Sequence, residues 1–390
     1  MIRVLIVDDS ALIRKLLREM LQSERLIEVV ATARDGIDGV KKARELRPDV
    51  VTMDITMPRL DGLSALQYIV QEAICPVIMV SSLTQDGALS TLEALTLGAF
   101  DVIAKPGGIS SQSIVQTQQE LIAKIKAASG KGTAERLRSA VRAETKRGGL
   151  STRREPGLEL PMELVARQHP PPGRRGDGKW AVAIGISTGG PRTLMEVIPE
   201  LPADLGVPVF LVQHMPAAFT ASFAERLACV SQMPVIGAAE GEVVQKNVVY
   251  LAKGGQHLLV SRSTSGAVSL HLSSVPETLF VPSVDVMMDS VLSLFGAGTL
   301  GVLMTGMGSD GANAMGRIRR SGGYGIAESE ETSIVWGMPR EAIERGGADI
   351  VLPSYKIAEE IVRKIRQWQA CGLTSSRTEG NPPLFAAGQR

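Results

Sequence analysis

The sequence predicts an α/β protein made of two parallel, doubly wound domains, the second carrying an antiparallel hairpin insertion. Three observations carry that prediction. Short apolar runs alternate with amphipathic stretches over residues 1–125, the apolar periodicity fades over 126–178, and the same alternation resumes over 179–370. Apolar runs that recur between helical patterns are the mark of strands buried on both faces and joined by helical crossovers.

In chain order, "RVLIV", "EVVA", "DVVTM", "PVIMV" and "DVIA" are the strands of the first domain, each followed by a helical pattern. The stretch 126–178 holds "KGTAERLRSAVRAETKRGGLSTRREPGLELP" and "HPPPGRRGDGK", which are basic, polar and rich in Pro and Gly. That composition predicts a flexible linker. A solvated tether is preferred to a nucleic-acid arm, because no aromatics interleave with the arginines to stack on bases. Beyond it, "WAVAIGI", "VPVFLVQ", "GTLGVLM", "YGIA" and "DIVL" are strands among helical segments such as "SVDVMMDSVLSLF". Between them, "NVVYLAKGGQHLLVSRSTSGAVSLHL" alternates apolar residues with Gly and Ser and predicts an antiparallel hairpin or meander inserted in the sheet. Residues 371–390 are expected to form a disordered tail.

A chain of 390 residues exceeds one typical core, and 44% hydrophobic with 21% charged residues describes a soluble globular protein. The net charge of +1 offers no global attraction to nucleic acid. Cys75, Cys229 and Cys371 lack metal-ligand spacing and are expected to be structural thiols of a reducing compartment. With no run of transmembrane length, and with acids arriving early in "MIRVLIVDDS", the expected location is cytoplasmic, without membrane insertion.

Asp8 and Asp9 end the first strand, Asp54 the third, Ser81 the fourth and Lys105 the fifth. In an open parallel sheet all five lie along the carboxyl edge, where ligands bind. Clustered carboxylates repel and need a hard cation such as Mg²⁺, with a lysine, to stay ionised. Such a cluster suits attack by a carboxylate on a phosphoryl group whose charge the metal and lysine neutralise. The segments "IVDDS", "MDITMPRLDG", "VSS" and "AKP" resemble the receiver domain of two-component response regulators, a flavodoxin-like five-stranded fold, over residues 1–125. The resemblance implies that Asp54 is the phosphoacceptor, that Asp8, Asp9 and Asp54 hold Mg²⁺ with the Thr56 carbonyl, and that Ser81 and Lys105 form the switch.

The second domain opens with Gly185-Ile186-Ser187-Thr188-Gly189, a serine in a G-x-S-x-G pattern at a strand-to-helix turn. The pattern also occurs without catalysis, so Ser187 needs partners. Of the four histidines, His169 falls in the linker, while His257 and His271 fall in the hairpin region, where backbone groups commonly satisfy an imidazole. His214 follows the next strand, which brings it to the same edge as Ser187. Asp310, in "GVLMTGMGSDGANAM", follows a further strand and could orient the imidazole, although a helix cap explains it as well. Backbone N–H groups at Thr188 and Met307 are the oxyanion candidates.

"GISTGGP", "QHMP", "PSVDVMM", "TGMGSDGA" and "GMPREAI" together resemble the catalytic domain of chemotaxis protein-glutamate methylesterases. That resemblance implies a phosphorylation-regulated serine hydrolase of glutamate γ-methyl esters on chemoreceptor cytoplasmic domains, with glutamine deamidation as a related acyl transfer. Ser187 would attack, His214 shuttle the proton and Asp310 orient it, with no cofactor for the esterase step. The upstream partner implied is a histidine kinase of a chemotaxis-type pathway; nucleic acid is not. The competing reading is a non-catalytic response regulator whose second domain binds a partner, with Ser187 a helix cap. The acids at Glu328, Glu330 and Glu331 are expected to lie on a solvated loop.

Overall fold

The structure, a computed structural model, describes residues 1–82, 85–105, 111–130, 179–263 and 266–375. Its first part is a five-stranded parallel sheet of β1 (Ile2–Val7), β2 (Ile27–Ala33), β3 (Val50–Asp54), β4 (Val77–Ser81) and β5 (Asp101–Ala104), in the order β2-β1-β3-β4-β5. Alternate strand residues serve opposite faces. Leu5, Val51, Met53 and Met79 pack under α2 (Gly36–Leu46), α3 (Gly62–Gln71) and α4 (Gln85–Thr96), whereas Val4, Ile6, Ile78 and Val80 pack under α1 (Ala11–Gln22) and α5 (Ser111–Ala128). Each such buried aliphatic contributes roughly 1.5–3 kcal/mol, which explains why these strands read as unbroken apolar runs.

The second part is a seven-stranded sheet, all parallel, in the order β14-β13-β12-β6-β7-β9-β8. Its strands are β6 (Ala181–Ile186), β7 (Val209–Gln213), β8 (Val235–Gly237), β9 (Val249–Leu251), β12 (Thr299–Leu303), β13 (Tyr324–Glu328) and β14 (Ile350–Leu352). One face is covered by α6 (Gly190–Val197), α7 (Ala217–Val230) and α11 (Ser354–Ser375). The other is covered by α8 (Val284–Phe295), α9 (Ala312–Arg320), α10 (Met338–Glu344) and an antiparallel ribbon of β10 (His257–Arg262) with β11 (Val268–Ser273). The chain leaves β6 toward β7 and returns on the other side at β12, so the crevice between β6 and β12 is the switch point of this sheet.

The predicted hairpin is present, but as a ribbon of its own laid on the sheet. The "VYL" that was read into it is the parallel strand β9, buried on both faces, and β8 was not expected at all. Three-residue strands are too short to show a period. The predicted linker falls mostly on residues outside the description, although α5 continues into its first positions. Helix α11 runs to Ser375, past residue 370, and the rest of the expected tail lies outside the described residues.

The two parts touch. Helix α4 packs on α6 and α7, Leu92 is buried in the apolar cluster of the second sheet, and Phe219 of α7 is buried in the cluster under α2 to α4. Arg226 donates to the Thr96 hydroxyl at 3.2 Å across this contact. Among the described residues no helix is long and apolar enough to cross a membrane.

Gly62 begins α3 directly behind the end of β3, where an added Cβ would lie 1.9 Å from the Asp54 carbonyl oxygen. Because the obstacle is backbone, Gly62→Ala is expected to destabilise the N-terminal part by about 1–3 kcal/mol or more. Calorimetric unfolding of the full chain checks this through a lowered first transition, and an unshifted transition would contradict the packing.

Candidate active site

Parallel pairing sets the site. Gly185 of β6 lies opposite Leu303 of β12, and the pairing continues past both strand ends: Met304 N–H donates to Gly185 O and Ser187 N–H to Thr305 O, each at 2.9 Å. On the other side His214 N–H donates to Ile186 O at 3.1 Å. The Gln213 side-chain amide then donates to the carbonyl oxygens of both Ser187 and His214 at 2.9 Å, holding the two residues side by side. Gly189, at φ +80°, turns the chain into α6, and an added Cβ there would meet Ile334 at 2.7 Å. The turn requires glycine on both counts.

His214 Nε2 lies 2.9 Å from Asp310 Oδ2. Asp310 also accepts from the Ser283 hydroxyl at 2.8 Å and from the Val284 and Asp285 N–H groups at 2.7 and 3.0 Å, so it sits on the N-terminus of α8. Burial pushes its carboxyl upward, but the bond and charge of His214 and the N–H donors outweigh this and hold it below the ordinary value. An ionised Asp310 fixes the imidazole hydrogen on Nε2. His214 Nδ1 is left as a lone pair, buried and without a hydrogen-bond partner among the described residues. Phe280 stacks on the ring at 4.4 Å and 13°.

Sequence reasoning thus named three residues that the structure gathers on one edge, Ser187, His214 and Asp310. Thr188 and Met307 flank the same crevice, and among the described residues neither backbone N–H donates a hydrogen bond. The cap that competed for Asp310, on the helix that follows it, is not made: Gly311 is the N-cap of α9 and no side chain caps that helix, whereas the Asp310 carboxylate takes N–H groups from the start of α8 and bonds His214 as well. His257 is wholly buried, with Nε2 bonded to Pro276 O and Nδ1 accepting from Ser283 N–H, both backbone partners as expected. His271 is exposed and bonded to Glu240.

Sequence reasoning missed Gln213, Ser283, Thr305 and Phe280. Of these, only Gln213 left a signal, a polar residue closing an otherwise apolar strand. The backbone partners expected for His271 are thus replaced by a carboxylate, and a further expectation is overturned. Glu328 does not lie on a solvated loop; it closes β13 with no exposed surface, while Glu330 and Glu331 are on the loop beyond. The acidic run was read as one unit, although β13 carries its first residue into the core.

In the first sheet, Asp8, Asp9 and Asp54 bring carboxylate oxygens within 4.8 Å of one another. Lys105 Nζ lies 2.8 Å from Asp54 and 3.2 Å from Asp8. Burial pushes the carboxyls of Asp8 and Asp54 above their ordinary value and Lys105 opposes it. Burial likewise works against the lysine's charge, but the two acids hold its ammonium above its ordinary value. The Asp8 oxygen that faces Lys105, Oδ2, is buried. Three oxygen ligands in excess over one cation fit a hard divalent ion such as Mg²⁺. Thr56 is exposed two residues past the buried end of β3, its N–H 3.4 Å from Asp54 Oδ1. Ser81 is buried, and its hydroxyl accepts from Thr91 of α4 at 3.0 Å.

Residues 4–117 match the response regulator receiver domain and residues 182–361 the CheB methylesterase family. A protein-glutamate methylesterase/protein-glutamine glutaminase of Syntrophomonas wolfei is 52% identical over 94% of this chain and the whole of the relative. One from Caldanaerobacter subterraneus is 46% identical over 94% of this chain and 97% of its own. The crystal structure of the Thermotoga maritima CheB methylesterase catalytic domain is 41% identical, covering 47% of this chain and 97% of that one, with a TM-score of 0.46. Similar to such relatives along nearly its whole length and carrying both matched regions in the same order, the chain belongs to the CheB family of receiver-linked protein-glutamate methylesterases.

Proposed function

We propose that this chain demethylates glutamate γ-methyl esters of chemoreceptor cytoplasmic domains, with Ser187 as nucleophile, His214 Nδ1 as base and Asp310 as orienting carboxylate. The observation that carries this reading is the orphaned Nδ1: a buried imidazole whose other nitrogen is committed to an ionised carboxylate keeps one unused lone pair, on a residue that Gln213 ties to Ser187 through their carbonyls. A partner-binding output domain has no use for that arrangement.

Ser187 Oγ attacks the ester carbonyl carbon and its proton passes to Nδ1. The imidazolium is stabilised by Asp310, and the carbonyl oxygen becomes an oxyanion facing the Thr188 and Met307 N–H groups, each such donor being worth about 10²–10³ in rate. Collapse breaks the bond to the methoxy oxygen, which leaves as methanol with the proton from Nδ1. Water then attacks the acyl-serine, again with His214 as base, and releases the glutamate carboxylate and Ser187. With a glutamine side chain the same steps release ammonia.

The receiver residues supply control. Asp54 accepts a phosphoryl group from a histidine kinase of a chemotaxis-type pathway, and Asp8, Asp9 and the Thr56 carbonyl would hold Mg²⁺ with it. The ion, when bound, neutralises the phosphoryl oxygens, and Lys105 adds its ammonium. Ser81, which accepts from Thr91 on the docking helix α4 and donates to the Ser82 carbonyl at 3.3 Å, can exchange the latter bond for one to the phosphoryl group. The exchange would weight the docked against the undocked arrangement, the differential effect that any such switch requires.

Three outcomes are expected. In methanol-release assays on methylated receptor membranes, Ser187→Ala and His214→Gln should lower the rate by about three orders of magnitude or more. Asp310→Asn should lower it by less, and His271→Gln, at an exposed position, should leave it near wild type; a folded, active Ser187→Ala would refute the assignment. An acyl phosphate with Mg²⁺ should label wild type but not Asp54→Asn, and chelation should abolish labelling; retained labelling of the variant would point to another acceptor. A fragment starting at Lys179 should outpace the unphosphorylated full chain, and the acyl phosphate should stimulate only the latter. Equal rates without stimulation would mean that the receiver exerts no restraint.

A further inference from the structure

Behind Ser187 lies a carboxylate that the mechanism above does not use. Glu328 closes β13 and has no exposed surface. Its Oε2 accepts from the Thr305 N–H at 2.7 Å and its Oε1 from the Thr332 hydroxyl at 2.8 Å. The Thr332 hydroxyl accepts in turn from the Ser354 N–H at 2.9 Å, so its own hydrogen is directed at Glu328. Both oxygens are therefore offered donors, the pattern that suits an ionised carboxylate.

Thr305 is where this reaches the site. Its carbonyl takes the Ser187 N–H, its hydroxyl donates to Thr188 O at 2.9 Å, and the same hydroxyl accepts from the Val335 N–H at 3.0 Å. Beyond it, Gly306 N–H donates to Val335 O and its carbonyl receives Gly337 and Met338, which fixes the approach to Met307. The loop so bonded carries Ile334, which lies against Gly189 and is buried in the apolar cluster that holds Val80, Phe100 and Ile103 of the receiver.

We propose that Glu328 is a positioning residue for ester hydrolysis: its carboxylate clamps the Thr305–Met307 strand end, which backs Ser187 and Thr188, to the loop that meets the receiver. This rests on the reading of Ser187 as nucleophile. A buried acid is an expensive way to fill a core position. Burial pushes its carboxyl up to about 7, the Glu196 carboxylate of α6 adds to this, and the Thr305 N–H and Thr332 hydroxyl hold it down. Glu196 is itself bonded by the Ser354 hydroxyl at 2.8 Å, and among the described residues no cation forms an ion pair with Glu328. A charge kept at a cost to stability, one residue from the groups that line the reaction, is the signature of a function–stability exchange.

The test compares Glu328→Gln and Thr332→Val with wild type in the full chain, above the pH near 7 at which Glu328 titrates. Glutamine keeps the volume and an acceptor for Thr305 but turns an amide donor toward Thr332; valine removes the hydroxyl donor. Both should lower kcat about tenfold or more with KM changed less than about twofold. The folded carboxyl titrates near 7 against an ordinary 4.5, so the native state loses stability as pH rises between those values. Glu328→Gln removes that loss, and its thermal midpoint should equal or exceed wild type on the alkaline side while it is the slower enzyme.

An unchanged kcat in both variants overturns the proposal, and so does a fall in kcat that merely tracks a lowered midpoint. If Glu328→Gln fails to fold, Thr332→Val decides alone. Ser187→Ala, measured alongside, separates the two claims: if it is inactive while both variants run at wild-type rate, only the role of Glu328 is lost. If Ser187→Ala is active, the nucleophile assignment fails first.

Discussion

The pairing of β6 with β12 is the constraint on which the catalytic half is built. Both strands are buried on both faces, so their register is locked by core packing over several layers of side chains. A locked register delivers Ser187 to Thr305 at the ends of two neighbouring strands. His214 arrives by the same rule from β7, and Asp310 by the glycine-rich turn after β12. None of these residues is held by a long flexible side chain alone. Each is within a few residues of a strand whose position the hydrophobic core determines.

The two halves apply one architectural rule to opposite electrostatic problems. Along the receiver edge, carboxylates crowd until burial and mutual repulsion work against their charge, leaving a site that asks for a cation. Along the second edge the carboxylate of Asp310 is supplied with a hydroxyl, two N–H groups and an imidazole, and is held ionised. The first site is completed from outside; the second carries its own counter-charges.

What the sequence disclosed follows from the same physics. Strands of four or more apolar residues and the polar residues capping them were legible, because burial on both faces writes a continuous run and the edge rule assigns the next residue to the site. Ser187 stood out by its glycine pattern, and His214, Asp310, Asp54 and Lys105 by following strands; the structure brings each of them to its sheet edge. Strands β8 and β9 were not, since three residues show no period. Glu328 was misplaced because burial of an acid depends on donors from Thr305 and Thr332, and Thr305 lies more than twenty residues upstream in the chain. Ser283 and Thr305, whose roles are made of hydrogen bonds to distant backbone, leave no mark in a hydropathy pattern.

Ile334 has a wider meaning for how such chains diversify. One aliphatic side chain closes the space over Gly189, beside the serine turn, and also completes a cluster belonging to the other half of the molecule. A change of shape there must satisfy two partners that are otherwise free to drift apart. Exchanging the regulatory half for that of a different lineage would leave Ile334 matched to the enzyme and mismatched to its new neighbour. Shape at this one position is thereby a condition shared by both halves of the molecule.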